Sequence, residues 1–265
     1  MSSLSARALH GIPEVRPGDD LAALIVAALD GEPLRDGQLL AIAHTAVSKA
    51  EGALVRLDEV TAGERAQELA AQDGGHGQGR DPRAIQVVLD ESVDVLRAAR
   101  GVLISRTRHG FVCANAGVDA SNASADGEPD TLILLPRDPD ASARRIRARL
   151  RELAGADAGP GTGPAVLITD SFGRAWRNGQ VDVAIGLAGM QPLDYWRGRT
   201  DASGMELRAT WLAVADAAAG AADLARAKDS REPVVIIDGL ERYVTVDDGE
   251  GAAALLRPLD EDLFR

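Results

Sequence analysis

Three short apolar runs in this chain stop abruptly at clusters of side chains that carry chemistry. Residues 38–43 lead into His44-Thr-Ala-Val-Ser-Lys-Ala-Glu-Gly52. Residues 111–114 lead into Asn115-Ala-Gly-Val-Asp-Ala-Ser-Asn122, and residues 165–169 into Asp170-Ser-Phe-Gly-Arg-Ala-Trp-Arg-Asn-Gly179. Apolar runs this short, bounded by small and polar residues, read as buried strands. Further strands are expected at 102–105, 131–135 and 233–237. Between them lie helical signals. Asp19 and Asp20 cap a helix over 21–29, and residues 62–71 form another. Asp81-Pro82 starts a helix whose stripe runs Ile85, Val88, Leu89, Ser92, Leu96. Asp138-Pro139 starts one carrying Ile146, Leu150 and Leu153, and an alanine-rich helix spans 206–228. The order predicts a mixed α/β fold, with a loose linker at 159–164 as a candidate internal boundary.

Composition narrows the function. A formal charge of −12 and an aromatic share of 3% oppose a nucleic-acid surface, which needs a basic face or stacking platforms. No apolar run reaches the roughly twenty residues of a membrane span, and residues 1–10 lack the apolar core of a secretory signal. Cys113 is the single cysteine, which excludes an internal disulfide and suits a reducing compartment. The expectation is a soluble cytoplasmic protein that binds neither nucleic acid nor membrane.

The strand ends carry the chemistry. Within 115–122 stand two amides, a carboxylate, a hydroxyl and a glycine. Such a stretch brings hard oxygens onto a cation and frees backbone N–H groups for an anion, although an Asx-rich turn uses the same residues. Asp170-Ser171 repeats the pairing of acid and hydroxyl, suited to Mg²⁺ or Mn²⁺. Arg174 and Arg177 stand nearby for an anionic group, while a turn cap with surface arginines is the bland alternative. Lys49 is placed for a phosphate but lacks the glycine spacing of a P-loop. The glycine-rich stretch 74–79 serves as a linker or a ligand clamp. The arginines between Arg144 and Arg151 form a solvated basic face or an anionic-partner site. There is no zinc spacing, Rossmann fingerprint or nucleophile elbow. The residues alone reach metal-assisted phosphoryl transfer.

The order of motifs resembles the coenzyme F(420)-0:L-glutamate ligase, or gamma-glutamyl ligase, family. The resemblance rests on Ile12-Pro-Glu with Pro17-Gly-Asp-Asp20, on Val47-Ser-Lys-Ala-Glu-Gly52, and on the 115–122 stretch. It continues through Ile168-Thr-Asp-Ser-Phe-Gly-Arg174, Ala175-Trp-Arg-Asn-Gly179, Ala184-Ile-Gly with Gly189, Gly204-Met-Glu-Leu207 and Val214-Ala-Asp216. It implies two interlocked subdomains, an intertwined homodimer, and one catalytic unit over 11–265 without a fused nitroreductase domain. The implied activity is GTP-dependent addition of L-glutamate to the phospholactyl carboxylate of coenzyme F(420)-0, then of further gamma-linked glutamates, through an acyl phosphate. The implied metal ligands are Asp119, Asp170 and Ser171, holding two Mg²⁺ or Mn²⁺ ions, with K⁺ a further candidate. The implied nucleotide contacts are Ile12, Pro13, Glu14, Val15, His44, Lys49 and Asn122, with Asp119, Asp170 and Lys49 catalytic. Ser171 stands where the family often has threonine, and His44 where it has a small hydroxyl residue. Ala53 replaces a common arginine, and 225–232 lacks the family's glycines. These departures leave open a ligase of the same scaffold with another acceptor or nucleotide, or a non-catalytic binding module.

Overall fold

The computed structural model describes residues 3–72, 80–120, 130–154 and 163–262. Its centre is a sheet of β1 (Ser5–Ala8), β2 (Leu39–Ala43), β8 (Ala165–Arg174), β9 (Arg177–Ala188) and β12 (Val234–Asp238), ordered β1-β12-β2-β8-β9. Every pairing is antiparallel except β2 with β8, whose register sets Leu39 beside Ala165 and Ala43 beside Thr169.

Both faces of this sheet are covered, which is why its strands read as continuous apolar runs rather than alternating ones. Leu40, Ile42, Val166, Ile168 and Ile236 point to one face. There they meet Leu21, Ala22 and Ile25 of α1 (Leu21–Ala28) and Ala143, Ile146 and Leu150 of α5 (Pro139–Ala154). Leu39, Ala41, Leu167, Val235 and Ile237 point to the other face, against α6 (Val214–Ala225). Alanines Ala215, Ala218, Ala219 and Ala222 let α6 lie close on the sheet. Helix starts follow the expected chemistry. Asp20 accepts from Ala23 N at 3.1 Å, and Asp81 accepts from Arg83 N at 2.8 Å ahead of Pro82.

A second core lies apart from the main sheet, built from α3 (Glu64–Gln72) and α4 (Pro82–Asp90) with Ala66, Leu69, Ile85, Val88, Leu103 and Ala116. It is fronted by a three-stranded sheet of β4 (Ser92–Ala99), β5 (Val102–Thr107) and β6 (Val112–Ala114). Smaller pieces complete the fold: α2 (His44–Ala50), β3 (Leu54–Arg56) paired with β7 (Thr131–Ile133), and β10 (Leu193–Tyr195) paired with β11 (Trp211–Ala213).

Four expectations are corrected. The helix from Pro82 ends at Asp90, where Ser92 Oγ donates to Val88 O at 2.6 Å, and Leu96 belongs to β4 with half its surface in solvent. The turn Arg100-Gly101, both at positive φ, closes the hairpin β4–β5. The strand from Ala165 runs on past Asp170 to Arg174, because its pairing with β9 continues beyond the helix-covered layer, half-buried to Phe172 and exposed at Gly173 and Arg174. The helix expected over 206–228 begins only at Val214, since Trp211 to Ala213 pairs with β10. Finally, Arg147 is wholly buried rather than part of a solvated basic face. Its guanidinium donates to Pro164 O, Thr245 O and Asp247 O at 3.0, 2.6 and 2.7 Å, and to Asp248 Oδ1 at 2.8 Å. The 74–79 stretch and residues 159–162 of the candidate boundary lie outside the described residues.

Candidate active site

The parallel pairing of β2 with β8 makes the site. Because Ala43 and Thr169 are side by side, the next residues, His44 and Asp170, emerge together at the same sheet end. Ligands collect at the carboxyl ends of parallel strands for this reason. Strand β12 enters at that end too, with Ala43 N bonded to Pro233 O at 2.8 Å, so the segment before it closes a third side. A cavity of about 650 Å³ opens here. Its lining includes Ile12, Pro13, Glu14 and Val15 from the entry loop, His44 and Lys49 from α2, Asp119, and Asp170 and Ser171 from β8.

His44 Nε2 lies 3.3 Å from Asp170 Oδ1, with both side chains largely buried. Asp170 Oδ1 also accepts from Ser171 N at 2.7 Å. Both contacts fall on one carboxylate oxygen, so Oδ2 is the one left for a ligand. Lys49 sits in the last turn of α2 rather than at the strand end, and it is ion-paired with Glu14. A phosphate entering beside Lys49 therefore competes with that carboxylate.

The 115–122 stretch behaves differently from a simple oxygen cradle. Asn115, Ala116 and Gly117 all take positive φ, which turns the chain sharply after β6. The side-chain oxygen of Asn115 is used by the scaffold, accepting from Leu103 N at 3.2 Å and Arg80 Nη1 at 3.2 Å. Asp119 is anchored by its backbone, exchanging bonds with Ile133 at 2.9 and 2.8 Å. Asn122 lies outside the described residues. Arg174 and Arg177 do not line the cavity. They close the far end of the β8–β9 ribbon, where Arg174 donates to Asn178 O at 2.7 Å.

The sequence reading missed an ionic network at the cavity wall. Asp182 stands opposite Ser171 across the β8–β9 pair and is 1% exposed. Ser171 Oγ donates to its Oδ1 at 2.6 Å, Thr169 Oγ1 donates to its Oδ2 at 2.9 Å, and Arg226 forms an ion pair with Oδ2. Burial pushes the Asp182 carboxyl up, but Arg226, the two hydroxyls and Lys228 together hold it below the ordinary carboxylate range. Lys228 Nζ donates to Ser171 Oγ at 2.5 Å. The signal was available: an acid inside the apolar stretch 181–189 demands a buried counter-charge. Arg226 and Lys228 follow α6 directly.

The donor set fits a hard cation. Asp119, Asp170 and Ser171 offer oxygens only, and Cys113 alongside is kept as a thiol, pushed up to about 12 by burial and by the Asp170 charge. Among the described residues no cluster of three or more His, Cys, Asp or Glu forms. An ion held here would take few protein ligands and would leave the rest of its shell to water and phosphate oxygens, a mode that suits Mg²⁺.

The comparisons with known proteins decide the family. A profile of the F420-0:Gamma-glutamyl ligase family matches residues 11–239. The chain belongs to this family. Relatives named coenzyme F420:L-glutamate ligase match all or nearly all of this chain. The protein of Methanopyrus kandleri is 43% identical over 270 residues, covering all of both chains. That of Methanothermobacter thermautotrophicus is 42% identical, covering 99% of each. That of Halobacterium salinarum is 40% identical, covering 99% of this chain and 96% of its own. Among the described residues of this family member, no helix is long and apolar enough to cross a membrane.

Proposed function

We propose that this chain is a GTP- and divalent-metal-dependent ligase that joins L-glutamate to the phospholactyl carboxylate of coenzyme F420-0, then adds gamma-linked glutamates. The observation that carries the reading is the β2–β8 pairing. It sets His44, Asp170 and Ser171 on a cavity with Lys49 and Asp119, in a chain whose full-length relatives bear the coenzyme F420:L-glutamate ligase name.

A carboxylate is a poor electrophile at neutral pH. In the proposed reaction its oxygen takes the γ-phosphoryl group of GTP, giving an acyl phosphate and GDP. The amine of glutamate then attacks the acyl carbon, and the C–O bond to phosphate breaks. Catalysis on this scheme is positioning and charge neutralisation rather than covalent chemistry by the protein. Asp119 and Asp170 would hold one Mg²⁺ or Mn²⁺ and Ser171 a second, with K⁺ a further candidate. The divalent ions, when bound, neutralise the charge shared between phosphates and carboxylate. Lys49 balances phosphate charge after leaving Glu14, and Ile12 to Val15, His44 and Asn122 form the nucleotide side. Arg226, Lys228 and Arg231 line the cavity and replace Arg174 and Arg177 as the cations facing an anionic acceptor. A homodimer and a single unit over 11–265 complete the proposal, in the cytoplasm.

The test is mass spectrometry of coenzyme F420-0 incubated with the protein, L-glutamate, GTP and Mn²⁺ or Mg²⁺. GTP-dependent increments of one or more glutamyl units are expected. No increment with any nucleotide would overturn the assignment of acceptor.

A further inference from the structure

The Ser171 hydroxyl has one proton and two lone pairs. The proton is committed to Asp182 Oδ1 at 2.6 Å, so a cation has to approach the lone pairs. Lys228 already does so. Its ammonium lies 2.5 Å from Ser171 Oγ, 3.7 Å from Asp182 Oδ1 and 3.1 Å from Asp223 Oδ1. Asp182 Oδ2 is meanwhile taken by Thr169 and Arg226. The buried acid and its neighbouring hydroxyl are therefore served by two hydroxyls and two cations of the chain itself. The two cations differ in freedom. Arg226 is nine-tenths buried and also donates to Pro233 O at 3.2 Å, whereas the Lys228 side chain is two-thirds exposed and reaches in from solvent. Arg226 is a fixture of the wall, and Lys228 is an arm able to swing away.

We infer that Lys228 is a tethered cation docked at the Ser171 position, and that it keeps a second divalent ion out of the nucleotide-free protein. A divalent ion bound to the Ser171 oxygen would sit within a few ångströms of the ammonium, and like charges that close repel strongly in a partly desolvated cavity. The empty protein therefore takes one ion, at Asp119 and Asp170, and the Ser171 position opens only when Lys228 leaves. Lys228 is here a specificity-determining residue for metal occupancy, acting through Ser171. The inference rests on the metal reading above.

The experiment counts Mn²⁺ bound per chain in nucleotide-free protein, from the electron paramagnetic resonance signal of free Mn²⁺ during titration. Wild type is expected to bind one ion, Lys228→Met two, and Lys228→Arg, which keeps the charge, one. A general electrostatic effect would tighten the first site without adding a second. With Mn²⁺ bound by at least one of the three proteins, a wild-type count other than one, no rise in Lys228→Met, or two ions in Lys228→Arg overturns the inference while the metal reading stands. No Mn²⁺ bound by any of the three overturns both.

Discussion

Asp182 is the residue on which the cavity wall depends. Its carboxylate is buried and held ionised by Arg226, so replacing it strands a cation that is itself nine-tenths buried. Asp182→Asn keeps the shape but removes the charge, and should cost about 3 kcal/mol of stability at pH 7 in urea unfolding, the usual cost of breaking a buried pair. The pH dependence has a definite sign. A carboxyl held below its ordinary value of 3.8 contributes stability that is present above that value and lost as pH falls through the lower folded one. The difference between wild type and Asp182→Asn should therefore shrink below about pH 4. Asp170 is the contrasting case. Its contacts are His44 and its own neighbour's N–H, so Asp170→Ala should stay folded, within about 1 kcal/mol of wild type. Glutamyl transfer in that variant should drop about 1,000-fold or more, measured by product mass, as for lost transition-state electrostatics. Asp170 and Ser171 were legible because they follow an apolar run. For Asp182 the apolar surroundings signalled a buried counter-charge but not its partners, which lie 13 and 44 positions away and are brought in by the hairpin register and by the chain leaving α6.

At the level of elements, α5 is more than a cover for the sheet. Through Arg147 it gathers the carbonyls of Pro164, Thr245 and Asp247 and so fastens the stretch after Tyr243 to the core. Gly189 is required there, since a Cβ would fall 2.1 Å from the Arg147 guanidinium carbon. Arg147→Met fills the same volume without donors and leaves those carbonyls unsatisfied. It should lose about 3 kcal/mol and expose 245–251 to limited proteolysis before the rest of the chain. Strands buried on both faces announced themselves as apolar runs, and capped helices by Asp-Pro. The α4–β4 junction did not, because Ser92 and Leu96 continue the helical period by coincidence. The hairpin signal, a single glycine after Arg100, is weak. The buried arginine was hidden among four others of identical type on one helix.

For the whole molecule, charge is the governing quantity. A chain of net charge −12 repels nucleotides and carboxylates at long range, while Lys49, Arg226, Lys228 and Arg231 attract them only inside the cavity. Salt screens the long-range part most. Association of metal-free GDP, followed by stopped flow, should therefore quicken about twofold or more between 10 and 150 mM salt, opposite to the usual trend for anion sites. The strand order has a consequence of another kind, for the time at which the protein can be finished. β1, the first strand made, is bonded in the sheet only to β12, and β12 is also the neighbour of β2. On a ribosome that releases the N-terminus first, β1 and one edge of β2 wait without partners until residues 234–238 emerge. The small core of α3 and α4 lies wholly between and has no such delay. Birth of this protein is thus split in time, with its smaller core ready early and its main sheet closed by the last of the described strands to be synthesised.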